Sequence, residues 1–266
     1  VPGSKSITNR ALLTAALADG PTTLQHALFS DDSRHFLGAL SALGFKATAD
    51  AATSEIRVDG QGGRIPATHA ELFIGNAGTA ARFLTAMLTL GHGTYVLDGE
   101  PRMRERPIGD LVLALRELGA VVSPLAADRS TDPRGWCPPL RIDAHGLPGG
   151  ATRVAGDISS QYLSGLLLAA PYAQGPVSIE VVGTLNSQPY VDLTLALMAD
   201  FGVRVERDGY RRFVVSPARY RAQPTYVIES DASAASYFFA LPVVAGGSVR
   251  VVDLSRSSRQ GDVGFI

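Results

Sequence analysis

Gly3-Ser4-Lys5-Ser6-Ile7-Thr8-Asn9-Arg10-Ala11-Leu12-Leu13-Thr14-Ala15-Ala16-Leu17, closed by Gly20 and followed by Thr22-Thr23-Leu24, is the stretch from which the fold is read. A small polar loop carrying cations opens an apolar helix, and a glycine then switches the chain into a β-type run. Helix N-termini present unpaired N–H groups and the positive end of the backbone dipole, so such a start suits a phosphate or carboxylate. Ser6 and Arg10 are four apart and share one helix face, next to the point where Lys5 enters. An ordinary Ser-capped helix with solvated charges accounts for this stretch alone equally well.

The switch recurs, and that shifts the reading. Gly20, Gly93, Gly175 and Gly247, spaced 73, 82 and 72 apart, each follow an apolar helix and precede a β-type run. The later runs are Thr94-Tyr95-Val96-Leu97, Pro176-Val177-Ser178-Ile179 and Ser248-Val249-Arg250-Val251. Each glycine is expected as a left-handed helix cap. A second landmark, Leu43-Gly44-Phe45, Leu118-Gly119-Ala120 and Phe201-Gly202-Val203, ends second helices whose apolar residues recur at helical spacing. Pro107 and Pro189 stand where those helices should open. Strands are expected at Glu55–Val58, Leu140–Ile142 and Arg212–Val215.

Each unit therefore reads helix, strand, helix, strand, strand, and the fold class is α/β, a repeated split unit. The units span about 1–70, 71–150 and 151–224, with 225–266 the start of a fourth that opens at Ser230-Asp231-Ala232-Ser233. Pro/Gly-rich loops at 131–135 and 146–150 explain the longer second spacing. The stretch 218–224 is the expected domain boundary.

Composition narrows the function classes. With 45% hydrophobic and 18% charged residues among 266, the chain reads as compact and soluble rather than disordered. A net charge of −1 argues against a nucleic-acid partner, while locally clustered Arg102, Arg104 and Arg106 suit small anions. Cys137, the one cysteine, excludes an internal disulfide and reads as an incidental loop residue. The five histidines lack ligand spacing, so no metal is expected, and no apolar run reaches membrane-spanning length. The chain opens at Val1 without Met and both ends read as cut, so no targeting segment is legible.

The chemistry is expected at the repeat starts. Gly75-Asn76-Ala77-Gly78-Thr79 with Arg82, and Gly156-Asp157-Ile158-Ser159-Ser160-Gln161, open the first helices of units two and three. Around a pseudo-threefold axis these starts would face a common region, where Lys5, Arg10, Arg82 and Arg102 would complete an anion site. The first start is not a P-loop and the second is not a dinucleotide fingerprint, because the required glycines are absent. The Arg-rich loop 98–107 reads either as a solvated salt-bridged turn or as a clamp; bidentate Arg chemistry favours the clamp. Asn186-Ser187-Gln188-Pro189-Tyr190 faces the same region by repeat symmetry, although Tyr190 could equally be core.

These motifs resemble the 5-enolpyruvylshikimate-3-phosphate synthase family. The resemblance rests on Gly3-Ser4-Lys5-Ser6-x-x-Asn9-Arg10, Gly75-Asn76-Ala77-Gly78-Thr79-Ala80-x-Arg82, Pro101-Arg102-Met103-x-Glu105-Arg106-Pro107 and Ser159-Ser160-Gln161-Tyr162-Leu163. Glu229-Ser230-Asp231-Ala232-Ser233 resembles the family's crossover segment, with Ser230 where Gly is usual, and Gln260-Gly261-Asp262 also matches. The sister transferase acting on UDP-N-acetylglucosamine is disfavoured by Ser6 and Arg10.

The resemblance implies transfer of a carboxyvinyl group from phosphoenolpyruvate to the 5-hydroxyl of shikimate 3-phosphate, without metal or organic cofactor. Lys5, Ser6, Arg10, Ser159, Ser160, Gln161, Ser187 and Tyr190 would hold shikimate 3-phosphate. Lys5, Gly78, Arg102 and Gln161 would contact phosphoenolpyruvate. It further implies two lobes of three units, each an inside-out α/β barrel, and a cytoplasmic monomer. Residues 1–224 would form the first lobe, and the acid–base residues would belong to the second. Phe83 stands where the family commonly has Pro, and is expected to shift its helix and alter sensitivity to the inhibitor glyphosate.

Overall fold

The computed structural model describes residues 1–125 and 132–265, so Thr131, in the first expected Pro/Gly-rich loop, lies outside the described residues. The first unit contains α1 (Lys5–Leu17), β1 (Pro21–Gln25), α2 (Asp31–Ala42), β2 (Lys46–Asp50) and β3 (Glu55–Asp59). The second contains β4 (His69–Phe73), α3 (Gly78–Leu88), β5 (His92–Asp98), α4 (Gly109–Glu117), β6 (Val121–Pro124) and β7 (Leu140–His145). The third contains β8 (Gly150–Ala155), α5 (Ser160–Ala169), β9 (Val177–Val182), α6 (Gln188–Asp200), β10 (Glu206–Asp208) and β11 (Arg212–Val215). Then come β12 (Thr225–Val227) and α7 (Ala232–Ala245).

The α/β repeat is present, with one correction to its unit. A further strand precedes the first helix, giving three four-stranded sheets ordered β12-β1-β3-β2, β4-β5-β7-β6 and β8-β9-β11-β10. In each sheet that extra strand pairs in parallel with the strand after the helix, and the remaining pairs are antiparallel. His69-Ala70-Glu71-Leu72-Phe73 carries few β-formers, so its alternating buried face is the only strand signal there. The first sheet takes its parallel edge from β12, with Thr23 opposite Thr225, so sheet pairing runs past the expected boundary at 224.

Glycine geometry is also corrected. Gly20 and Gly93 have φ of 157° and 159°, positive values that favour glycine but lie far from the left-handed helical cap, and Gly175 is not among the positive-φ residues. Gly93 instead lies in β5, where a Cβ would fall 1.9 Å from the Thr68 carbonyl oxygen. Gly247, just after α7, does have a left-handed φ of +95°, and in the three units such glycines end the second helices. Gly44, Gly119 and Gly202 have φ of +83°, +93° and +86°, and Phe45, Ala120 and Val203 each donate back to the carbonyl five residues earlier. These are three copies of one Schellman cap. Pro189 is the second residue of α6, but α4 begins two residues after Pro107.

Ser248–Val251, expected as a strand, has no strand geometry. A strand persists only where a neighbour completes its ladder, and among the described residues none lies alongside.

Helices α1, α3 and α5 are buried almost throughout, whereas the strands alternate buried and exposed positions. The helices therefore occupy the middle, with the sheets outside. Small residues allow close packing: a Cβ on Gly165 of α5 would sit 3.1 Å from the Arg82 carbonyl of α3.

Candidate functional site

All six helices of the three units begin at one end of the bundle. Lys5 Nζ of α1 lies 3.7 Å from the Asp32 carboxylate at the start of α2. The Gln161 amide of α5 donates to Thr79 Oγ1 of α3 at 3.3 Å. Arg10 reaches the Tyr190 carbonyl in the first turn of α6, and Arg82 reaches the Pro107 carbonyl just before α4. His35 of α2 packs its ring against Gly75, which leads into α3. Aligned N-termini direct the positive ends of their dipoles toward this end of the bundle.

A cleft of about 730 Å³ opens there, lined by Lys5, Ser6 and Tyr190 on one side and by Asp231, Ser233 and Asp262 on the other. Lys5 is exposed, and its backbone N–H donates to Asp231 at 3.0 Å. Asp231 also caps α7 through the Ala234 N–H. Ser233 Oγ donates to the Asp262 carboxylate. Burial, reinforced by the carboxylate of Asp262, pushes the Tyr190 phenol above its usual range.

Two expected anion-site cations have a different setting. Arg10 is buried and donates to Thr194 Oγ1 at 2.7 Å, the Ser6 carbonyl at 2.8 Å, Ser164 Oγ at 3.3 Å and the Tyr190 carbonyl at 3.1 Å. Burial pulls its pKa down to about 10. Arg82, also buried, donates to the Gly78 carbonyl at 3.1 Å and the Pro107 carbonyl at 2.7 Å, and burial lowers its pKa too. Arg10 at about 10 remains a cation at neutral pH.

The other expected residues surround the same end. Ser159 caps α5 by accepting from the Gln161 N–H, and Ser160 is buried beside it. Ser187, with φ 55°, turns the chain into α6. Arg102 is exposed and paired with Glu105 at 2.8 Å. Gly78 opens α3, and a Cβ there would sit 2.3 Å from Arg106 Nη2. Arg106 donates to the Asn76 carbonyl at 3.0 Å and to its side-chain oxygen at 3.2 Å. Thus Arg106, not Arg102, lies over the α3 start. Sequence reading put Arg106 in a clamp loop beside the second helix start without assigning it a ligand, and quoted Asp231 and Asp262 in motifs without placing them at the site. A loop arginine and a cap aspartate carry no local mark of a distant partner. Among the described residues no His/Cys/Asp/Glu group could hold a metal, and no helix is long and apolar enough to cross a membrane.

The fold and this anion-facing end define a repeat-built α/β protein suited to phosphorylated or carboxylated small molecules. Residues 1–266 match the family model described as EPSP synthase (3-phosphoshikimate 1-carboxyvinyltransferase). The chain belongs to that family. It is 51% identical to the 3-phosphoshikimate 1-carboxyvinyltransferase of Sulfurovum sp. (strain NBC37-1), across 100% of this chain and 61% of that relative. Identity to the enzyme of the same name from Shewanella denitrificans is 53%, with the same coverage. The solved EPSP synthase from Acinetobacter baumannii superposes with a TM-score of 0.76 at 26% identity, covering 90% of this chain and 51% of that one. The chain therefore spans about three fifths of the length of the curated relatives it matches.

Proposed function

We propose that this chain is the shikimate-3-phosphate-binding part of an enzyme that transfers the carboxyvinyl group of phosphoenolpyruvate to the 5-hydroxyl of shikimate 3-phosphate, releasing phosphate. The observation that carries the reading is that six helices begin at one end of the bundle, where the starts of α1 and α6 give Lys5, Ser6 and Tyr190 to a cleft. An anion there gains backbone N–H donors, aligned dipoles and the Lys5 ammonium together. We assign Lys5, Ser6, Arg10, Ser159, Ser160, Gln161, Ser187 and Tyr190 to shikimate 3-phosphate. Lys5, Gly78, Arg102 and Gln161 are assigned to phosphoenolpyruvate. In this assignment Arg10 acts through Ser6 and Tyr190, whose carbonyls it holds.

The 5-hydroxyl adds to C2 of phosphoenolpyruvate and gives up its proton, while C3 takes up a proton and becomes a methyl group, giving a tetrahedral ketal. Phosphate then leaves as C3 loses a proton and the vinyl group re-forms. Two anions must be held in contact, so cationic positioning is the main demand on this lobe. Proton transfer is assigned to the part of the family length that this chain does not cover. Residues 1–224 form the first lobe in this reading and 225–266 begin the second, in a cytoplasmic monomer without cofactor or nucleic-acid partner.

Calorimetric titration of this chain with shikimate 3-phosphate, with and without phosphoenolpyruvate and beside a phosphate-release assay, tests the proposal. Heat without phosphate release supports a binding lobe that turns over only with the rest of the family length. Release by this chain alone overturns the assignment of proton transfer. No heat with shikimate 3-phosphate overturns the reading.

A further inference from the structure

Asp200, the last residue of α6, ties together two stretches that lie far apart in the chain. Its carboxylate accepts from both terminal nitrogens of Arg259, Nη1 to Oδ2 and Nη2 to Oδ1, the second at 3.1 Å. The Tyr226 hydroxyl of β12 donates to the same carboxylate at 3.1 Å, and the Gln223 amide donates to the Asp200 carbonyl at 2.9 Å. One residue therefore holds the chain as it leaves the third unit and again as it returns after α7. Among the described residues this is the one ion pair between residues 225–266 and the three units. A carboxylate at a helix C-terminus faces the negative end of the dipole, so α6 by itself gives Asp200 no reason to be there. Arg259 offsets that repulsion with a planar fork matched to both oxygens.

The segment that begins at Arg259 runs along α6 toward its start. Gly261 packs on Pro189, the second residue of α6, where a Cβ would fall 2.5 Å from the Pro189 Cβ. At about 1.5 Å of rise per residue, Pro189 and Asp200 are about 16 Å apart along the helix. Between them a groove of about 210 Å³, lined by Leu193, Leu197, Tyr226 and Arg259, lies beneath the segment. Gln260 is buried and joins the segment to α7: its side-chain oxygen accepts from the Ala232 N–H at 3.0 Å, and its amide donates to the Ser230 carbonyl at 2.8 Å. Asp262 then lines the cleft with Ser233, across from Lys5, Ser6 and Tyr190. One wall of the cleft is thus fastened at the far end of α6.

We infer that Asp200 and Arg259 are a positioning pair for the cleft, fastening residues 259–262 along α6 so that the wall carrying Ser233 and Asp262 keeps its distance from Lys5, Ser6 and Tyr190. The inference rests on the cleft being the substrate site proposed above, and it adds two residues that touch no substrate. Without the pair, only a fraction of molecules has both walls in place, and apparent affinity falls in proportion to that fraction. Substrate that has bound holds the two walls itself, so the chemical step is spared.

The test compares Asp200→Asn, Arg259→Met and the double variant with the parent. Asparagine keeps the shape and an acceptor for Tyr226, and Arg259 is half-exposed, so all three variants should fold. In protein of the full family length, the KM for shikimate 3-phosphate is expected to rise about threefold to tenfold in each single variant, with kcat within about twofold. The double variant should match the worse single one, since residues that act as one unit are not additive. Arg259→Lys keeps the charge but has one nitrogen for two oxygens, and should fall between Arg259→Met and the parent. In the ligand-free 266-residue chain, hydrogen exchange is expected to quicken at residues 230–236, where Gln260 and Asp231 hold the Ala232 and Ala234 N–H groups, and to stay parental in α5. Parental KM values, or rises that simply multiply in the double variant, overturn the inference. A fall in kcat at unchanged KM overturns it in favour of general loss of folded protein. A parent that does not bind shikimate 3-phosphate overturns the substrate assignment itself, whereas the exchange measurement still decides whether the pair holds the wall.

Discussion

The guanidinium carbon of Arg10 lies 5.3 Å from the centre of the Phe83 ring, and both side chains are buried where α1 meets α3. Phe83 is therefore a packing partner of Arg10 as well as a neighbour of Arg82. Phe83→Ala is expected to cost about 3–5 kcal/mol, the usual range for an excised core aromatic, read from the urea midpoint. Phe83→Pro, which restores the common family residue, is expected to move the glyphosate inhibition curve in full-length protein. Superimposable curves would sink the proposed link between this residue and inhibitor sensitivity.

Lys5 and Arg10 sit five residues apart and should fail differently. Lys5→Met removes an exposed side chain whose ion pair with Asp32 is long, so stability should change by less than about 0.5 kcal/mol. Shikimate 3-phosphate binding should nevertheless fall at least about tenfold, as expected when a charged hydrogen bond to an anion is lost. Arg10→Met removes a buried donor to the Tyr190 carbonyl and two hydroxyls, which keep only the bonds Thr194 Oγ1 makes among them, and about 2 kcal/mol of stability should go with binding. Paired thermal melts and titrations separate the two. A stable Arg10→Met protein with parental affinity would contradict the role assigned to Arg10.

Gly78→Ala places a methyl group 2.3 Å from Arg106 Nη2, the far end of a flexible side chain. The arginine can swing away, so the melting temperature should fall by no more than a few degrees, about 1 kcal/mol or less. The KM for phosphoenolpyruvate should rise while that for shikimate 3-phosphate holds. Unchanged kinetics would mean that the Arg106–Gly78 contact has no part in binding.

At the opposite end of the bundle, Tyr172 donates to the Leu17 carbonyl and accepts from the Tyr220 N–H at 3.0 Å. Burial raises its phenol to about 12. An unfolded tyrosine titrates near about 10, so between these values the unfolded chain has lost a proton that the folded chain keeps. The contribution is complete below pH 10 and disappears as the pH rises through 12. Urea unfolding from pH 9 to 12 should show a falling stability whose slope is smaller in Tyr172→Phe; equal slopes would contradict the shift.

The α/β repeat was legible because helix period, terminal glycines and motif spacing are local properties carried through the chain. The second-helix ends were placed correctly at Gly44, Gly119 and Gly202, since only glycine adopts that cap without strain. The strands β4 and β8 were not legible because they are weak in β-formers, and β12, though made of Thr225, Tyr226 and Val227, because three residues form a strand only through the ladder beside them. The same physics removes the strand expected at Ser248–Val251, where no described neighbour provides one.

The site divides in the same way. Sequence alone determined that polar, cation-bearing helix starts recur, and therefore that an anion-facing end exists if those helices run parallel. Only the tertiary structure decided which cations face the cleft. Lys5 and Arg10 are both written into the first turns of α1, yet one lies exposed beside Asp32 and the other threads between α5 and α6. Which way an arginine turns depends on what the neighbouring helices offer it. The Tyr190 and Pro107 carbonyls that capture Arg10 and Arg82 lie 180 and 25 residues away in the chain.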